Sequence, residues 1–72
     1  TMTLQDFLDI EFTEEQQKKE GYIFASNESL TSLENNGNLT SILELYVSNN
    51  KLTSLKGIEL MPKLTKIWIY NN

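Results

Sequence analysis

The chain has 72 residues, contains neither cysteine nor histidine, and carries a formal net charge of −4 at pH 7. Disulfides and the usual zinc ligand sets are therefore excluded, and one small domain is expected. All basic residues are lysines, so the bidentate arginine contacts typical of nucleic-acid recognition are missing and no nucleic-acid partner is expected.

Composition also bears on localisation and catalysis. No apolar run is long enough to span a bilayer, and no secretory leader is evident, so we expect a cytoplasmic protein without membrane contact. Nucleophile–base pairs built on Cys or His cannot form, and no glycine-rich phosphate loop occurs. We therefore expect a protein that is not an enzyme and has no catalytic residues, metal site or cofactor.

The first predicted element is a helical N-terminal cap over residues 1–21. Thr3 with Asp6 three positions later indicates a helix N-terminus, followed by an apolar stripe at Leu4, Phe7 and Leu8. We expect a set of apolar cap residues to cover the segment that follows: Phe7, Leu8, Ile10 and Phe12. The alternative is that the stripe is a partner-binding helix.

A second short helix is predicted from the capping box Thr13–Gln16. Pairs of Glu and Lys at i, i+4 support it, and Gly21 is expected to end it. Since it has almost no apolar face, we expect it to be exposed and weakly held. Residues 1–20 hold six carboxylates against two lysines, which indicates either a solvated helical end or a surface for a basic protein.

Residues 22–72 contain an internal repeat of 22 residues. Residues 23–44 align on 45–66, with identical residues in the segments 25–33 (ASNESLTSL) and 47–55 (VSNNKLTSL). Within a repeat, alternation as in Leu45-x-Val47 predicts a short strand. The apolar residues that follow recur at every third position, which favours irregular or 3₁₀-like turns. Two full repeats and the first six residues of a third are present.

The pattern Ile42-x-x-Leu45-x-Val47-x-x-Asn50-x-Leu52 resembles the leucine-rich repeat family, and the 22-residue period resembles its internalin-like subclass, over roughly residues 23–72. The resemblance implies an α/β solenoid with parallel strands near 23–25, 45–47 and 67–69. It also implies protein binding on the concave face that these strands form. Together with the cap, residues 22–72 are expected to make one domain.

The first repeat departs from the family pattern at two positions. Glu28 replaces the asparagine that normally satisfies backbone groups in the turn, so Glu28 or Asn27 would have to substitute for it. Asn36 replaces an apolar residue, which predicts a looser turn over residues 34–38 (ENNGN).

The outward positions of the three strands carry an aromatic column, Phe24, Tyr46 and Trp68, at intervals of 22 residues. One interpretation is a cross-strand ladder that only stabilises the sheet. The other is a partner-binding face, because Trp and Tyr are common interface anchors. Glu44 and Lys66 lie in the adjacent outward column, where they are expected either to set the polarity of the face or to pair with each other. The predicted partner-binding residues are Tyr22, Phe24, Glu44, Tyr46, Ser48, Lys66, Trp68 and Tyr70.

The last predicted strand has no following element to cover it. Its unpaired backbone groups favour self-association, as a homodimer with two last strands antiparallel. The predicted self-association residues are Ile67, Trp68, Ile69 and Tyr70. The alternative is that the chain is part of a longer array.

Two functions are therefore expected from the sequence. The first is a protein–protein interaction module, such as a small inhibitor or adaptor, that binds a protein through the concave strand face. The second is a structural or assembly protein that self-associates through its last strand.

Overall fold

The computed structural model describes residues 1–72, the whole chain. In chain order the elements are β1 (Met2–Thr3), α1 (Leu4–Glu11), α2 (Glu14–Lys19), β2 (Tyr22–Phe24), β3 (Leu30–Ser32), β4 (Glu44–Tyr46), a 3₁₀ turn (Ile58–Leu60) and β5 (Lys66–Trp68). No helix has the length and apolar character that a bilayer crossing requires.

Two short parallel sheets organise the chain. The larger has the order β2-β4-β5 and the smaller pairs β1 with β3. In the larger sheet every residue lies opposite the residue 22 positions later, for example Ile23 opposite Leu45 and Leu45 opposite Ile67. Backbone bonds between the neighbouring strands continue past the strand ends, from Ala25 N to Tyr46 O and from Val47 N to Trp68 O. The strands begin one residue earlier than predicted.

The expected solenoid is wrong: the chain folds as a small compact α/β domain. Its dimensions are 29 × 24 × 17 Å and its Cα radius of gyration is 10.7 Å, so no axis dominates. Stacked repeats become an elongated array only when many of them follow one another. In this chain the N-terminal region folds back on the first repeat. The expected purely helical cap also proves incomplete, because β1 adds a strand beside β3.

One continuous apolar core joins the N-terminal region to the repeats. It consists of buried aliphatic residues together with Phe7 and Met61. Leu4, Leu8, Ile23, Leu30, Leu33, Leu39, Ile42 and Leu45 have no exposed surface. The alternation predicted for the strands accounts for the burial of Ile23, Ala25, Leu45 and Val47 on one face of the larger sheet.

Helix α1 packs against β1 and β3 through its predicted apolar stripe. Thr3 and Asp6 form the reciprocal capping box expected at its N-terminus. Ile10, in contrast, was expected to cover the core and is 68% exposed. It follows the buried Leu8 by about 200° around the helix, and therefore lies on another side. Phe12 is half-buried against the core.

Helix α2 is held more firmly than its lack of apolar residues suggested. Gln17 is only 1% exposed. Its Nε2 donates to Asp9 Oδ1 at 3.0 Å, and its Oε1 accepts from Gln5 Nε2 and Asn38 Nδ2 at 3.1 and 3.0 Å. A satisfied buried amide thus replaces the missing apolar face. The expected Glu–Lys pairs do not form. Helix α2 ends at Lys19 with Glu20 as its C-cap, and Gly21, which follows, does not adopt a left-handed φ.

The turn at residues 34–38, predicted to be loose, is closed by side-chain amides. Asn35 Nδ2 donates to Leu33 O and Gly57 O at 2.9 and 3.1 Å. Gly37 N donates to Asn35 Oδ1, and Asn36 N donates to Gln5 Oε1. These bonds connect the turn to both α1 and the second repeat, and the side-chain amide of Asn35 supplies most of them.

Asn50 satisfies the backbone of the first repeat, so neither Glu28 nor Asn27 has to do so. Glu28 N and Leu30 N donate to Asn50 Oδ1 at 2.9 and 3.0 Å. The Nδ2 of the same side chain donates to Ala25 O and Val47 O at 2.9 and 2.8 Å. Asn72 repeats the arrangement 22 residues later, accepting from Leu52 N and donating to Val47 O and Ile69 O. Each asparagine therefore bridges two successive segments.

Candidate protein-binding face

Parallel pairing places the aromatic column on the outward face of the larger sheet. Phe24 lies opposite Tyr46, and Tyr46 lies opposite Trp68, in the backbone register. Each is flanked along its strand by residues that point to the core, since successive side chains alternate between the two faces. The three rings therefore belong to one surface, as the sequence predicts.

The three rings are stacked on one another. The ring centroids of Phe24 and Tyr46 are 4.7 Å apart with an angle of 20° between the planes. Those of Tyr46 and Trp68 are 4.2 Å apart with an angle of 12°. Such pairs stabilise a sheet by about 1 kcal/mol each. The column is thus a ladder. Stacking covers only the ring faces between neighbours, and the ring edges and the two outermost ring faces remain accessible to a partner.

The column presents apolar surface to solvent. Phe24 is 68% exposed, Tyr46 and Trp68 are half-buried by each other, and Tyr22 and Tyr70 are exposed beside them. The aromatic face, defined as these five residues, crosses all three strands. Contiguous exposed apolar residues of this kind mark interaction sites, whereas single exposed apolar residues are ordinary on protein surfaces.

Glu44 fixes the middle ring of the column. The hydroxyl of Tyr46 donates to Glu44 Oε1 at 2.7 Å. This hydrogen bond, followed by partial desolvation and the negative charge of Glu44, raises the pKa of Tyr46 above its usual value of 10.0. Lys66 lies opposite Glu44 in the register and is exposed. The expected pairing of Glu44 with Lys66 is not formed, because no ion pair joins them within 4.0 Å.

Ser48 differs from the other predicted binding residues. It is 2% exposed, and its Oγ is buried without a hydrogen-bond partner. The backbone bonds between strands continue at this position, with Asn27 N donating to Ser48 O, so Ser48 belongs to the interior of the sheet rather than to its accessible face. The surface that a partner can reach therefore consists of the aromatic face together with Glu44 and Lys66.

The predicted self-association residues lie along β5, which is the outer strand of the larger sheet. Ile67 and Trp68 are half-buried, whereas Ile69 and Tyr70 are exposed. Beside them is a shallow depression of about 200 Å³, the C-terminal depression, whose lining is Leu52, Thr53, Ser54, Leu55, Ile69 and Asn72.

The sequence did not indicate this depression, although one comparison within the repeat locates it. Leu33 and Leu55 occupy the same position of the 22-residue period, yet Leu33 is fully buried and Leu55 is 44% exposed. Leu33 is covered by the second repeat, where Gly57 approaches its carbonyl. Leu55 has no such neighbour, so its exposure follows from its place in the stack, which composition alone does not reveal.

The structure brings together no group of three or more carboxylate, His or Cys side chains with metal-binding geometry. Comparison of the chain with protein-family models, curated proteins and solved structures gives no match. The aromatic face therefore stands as the candidate site on its own geometry.

Proposed function

We propose that this chain is a protein–protein interaction module, a small inhibitor or adaptor, that binds a partner protein through the aromatic face. One observation carries the proposal: Phe24, Tyr46 and Trp68 stack in register on an open sheet surface, with Tyr22 and Tyr70 beside them. Aromatic rings held rigidly in place contribute large contact area at low entropic cost, which is the property of interface hot spots.

Two further features support the same function. Glu44 and Lys66 place one charge of each sign beside the rings, and polar groups at the rim of an apolar patch confer specificity. The resemblance of residues 23–72 to leucine-rich repeats points the same way, since that family binds proteins. Kinship with the family and a cytoplasmic location are part of this proposal.

Affinity capture with matched variants tests the proposal. Phe24 and Ile10 are both 68% exposed apolar residues, but only Phe24 belongs to the aromatic face. We expect Phe24→Ala to reduce recovery of the partner at least tenfold, the effect of a hot-spot residue. Ile10→Ala should leave recovery unchanged. Circular dichroism checks that both variants are folded, and equal recovery with folded Phe24→Ala would contradict the proposal.

A second candidate function is assembly by self-association through the β5 side of the domain. The open edge of β5, exposed Ile69 and Tyr70, and the C-terminal depression favour it. An unpaired strand edge next to apolar surface is a template for association. Light scattering tests it, and a monomer throughout the micromolar to millimolar range would exclude it.

A further inference from the structure

The two ends of the domain carry opposite charge. Residues 1–44 hold nine carboxylates and two lysines, a net charge of −7, whereas residues 45–72 hold four lysines and one carboxylate, a net charge of +3. The strand order places β5 at the side of the larger sheet away from β2. Helix α1 packs against β1 and β3, which places the acidic residues of α1 with the first repeat.

This separation of charge is large enough to act between molecules. The Debye length at physiological salt is about 8 Å, so a molecule that approaches one end responds mainly to the charges on that end. A single ion pair, Glu34 with Lys56 at 3.8 Å, joins the two groups of residues.

Both ends also expose apolar groups. On the acidic end, Ile10 is exposed on α1 among Asp6, Asp9 and Glu11. On the basic end lies the C-terminal depression, with Leu55 and Ile69 in its lining. Its volume of about 200 Å³ exceeds the roughly 150 Å³ that holds a benzene molecule in a closed cavity, so one aliphatic side chain fits.

We infer that the C-terminal depression binds the acidic N-terminal helix of a second copy of this chain, with Ile10 of that copy in the depression. Lys51 adjoins Leu52 of the depression along the chain. Lys51 and Lys63 are exposed and have no ion-pair partner, so they are free to meet its carboxylates. The contact is heterologous, joining one end of a molecule to the opposite end of the next, and it adds molecules in a row.

Charge decides against the two-fold contact through paired β5 strands. That arrangement brings two basic halves together, each with a net charge of +3, and like charges across an interface oppose association. The inference deepens the second candidate function and rests on it, but it does not use the exposed ring edges of the aromatic face.

Two charge variants and their mixture test the inference by sedimentation velocity. Lys51→Glu with Lys63→Glu reverses the charge of the basic end, and Glu11→Gln with Glu15→Gln weakens the acidic end without creating a new attraction between the two variants; none of these side chains forms an ion pair with the rest of the domain. We expect the unmodified chain to form species that grow with concentration. Each double variant alone should remain monomeric, and an equal mixture of the two should form one-to-one dimers that do not extend.

The salt dependence of association and two substitutions of apolar residues complete the test. Association of the unmodified chain should weaken about tenfold or more between about 0.05 M and about 0.5 M NaCl, because screening removes the attraction. Ile10→Ser should abolish association, while Phe24→Ala should not. A closed dimer that strengthens with salt, or a mixture without dimers, would overturn the inference and leave self-association itself standing. A chain that stays monomeric at low salt would overturn both.

Discussion

Replacing Gly57 with alanine should destabilise the domain far more than replacing Gly37. Both glycines have positive φ, 112° and 86°, so alanine at either position adopts a backbone conformation that costs about 1–2 kcal/mol. Lower entropy of the unfolded chain returns about 0.4–1 kcal/mol in each case. Backbone conformation alone therefore predicts similar, small effects for the two substitutions.

The space around the two glycines differs, and this difference makes Gly57→Ala the more destabilising substitution. A Cβ on Gly37 meets nothing within 4 Å, whereas a Cβ on Gly57 would lie 2.2 Å from Leu33 O and 2.6 Å from Leu33 C. Those atoms are backbone and cannot rotate away, so the second repeat must move off the first. Overpacking costs about 1–3 kcal/mol. Added to a net conformational cost of about 1 kcal/mol, this gives about 3 kcal/mol for Gly57→Ala, against about 1 kcal/mol for Gly37→Ala.

Urea denaturation followed by far-ultraviolet circular dichroism measures both effects. A domain of this size is expected to have a free energy of unfolding of about 4–11 kcal/mol, so Gly57→Ala removes a large fraction of it. A Gly57→Ala chain that is unfolded without urea agrees with the expectation. Equal midpoints for the two variants would refute the reasoning, since they would show that Gly57 and Leu33 are not in close contact.

Three further predictions follow from hydrogen bonds of single side chains. Asn50→Ala should lower the free energy of unfolding by about 3 kcal/mol, because it leaves backbone groups of two segments unpaired, and urea denaturation measures this. Gln17→Ala should increase amide hydrogen exchange in α2, whereas the exposed Lys18→Ala should not. Glu44→Gln should lower the pKa of Tyr46, seen by absorbance during alkaline titration. Because folding raises the pKa of Tyr46, the hydrogen bond to Glu44 contributes fully to the stability of the folded chain below pH 10, and this contribution is lost as the pH rises through the pKa of the folded state. An alkaline titration of Tyr46 that Glu44→Gln leaves unchanged would contradict this prediction.

Much of the sheet could be predicted from the sequence because it depends on local alternation and on one repeated spacing. The 22-residue offset between Ile23, Leu45 and Ile67 gives the register directly. The same offset places Tyr46 between Phe24 and Trp68. The alignment of the three rings is therefore a consequence of the repeat, whereas their stacking was one of two interpretations that the sequence left open.

The features that the sequence did not predict depend on contacts between distant segments. Gln17 reads as a surface residue of a polar helix, and only its position between Asp9 and Asn38 makes it the anchor of α2. The pairing of β1 with β3 could likewise not be predicted, because β1 consists of only two residues, Met2 and Thr3, which is too short for a recognisable pattern. The overall shape was mispredicted for another reason: packing of the N-terminal region on the repeats was expected, but two repeats are too few to form an elongated solenoid.

The proposed binding function depends most on rigid stacking of the three aromatic rings in solution. Nuclear Overhauser effects between ring protons measure it directly in the 72-residue chain. The structure predicts strong effects between Phe24 and Tyr46 and between Tyr46 and Trp68, at centroid distances of 4.7 and 4.2 Å, and none between Phe24 and Trp68. Rings that show no mutual effects and rotate freely in solvent would contradict the account.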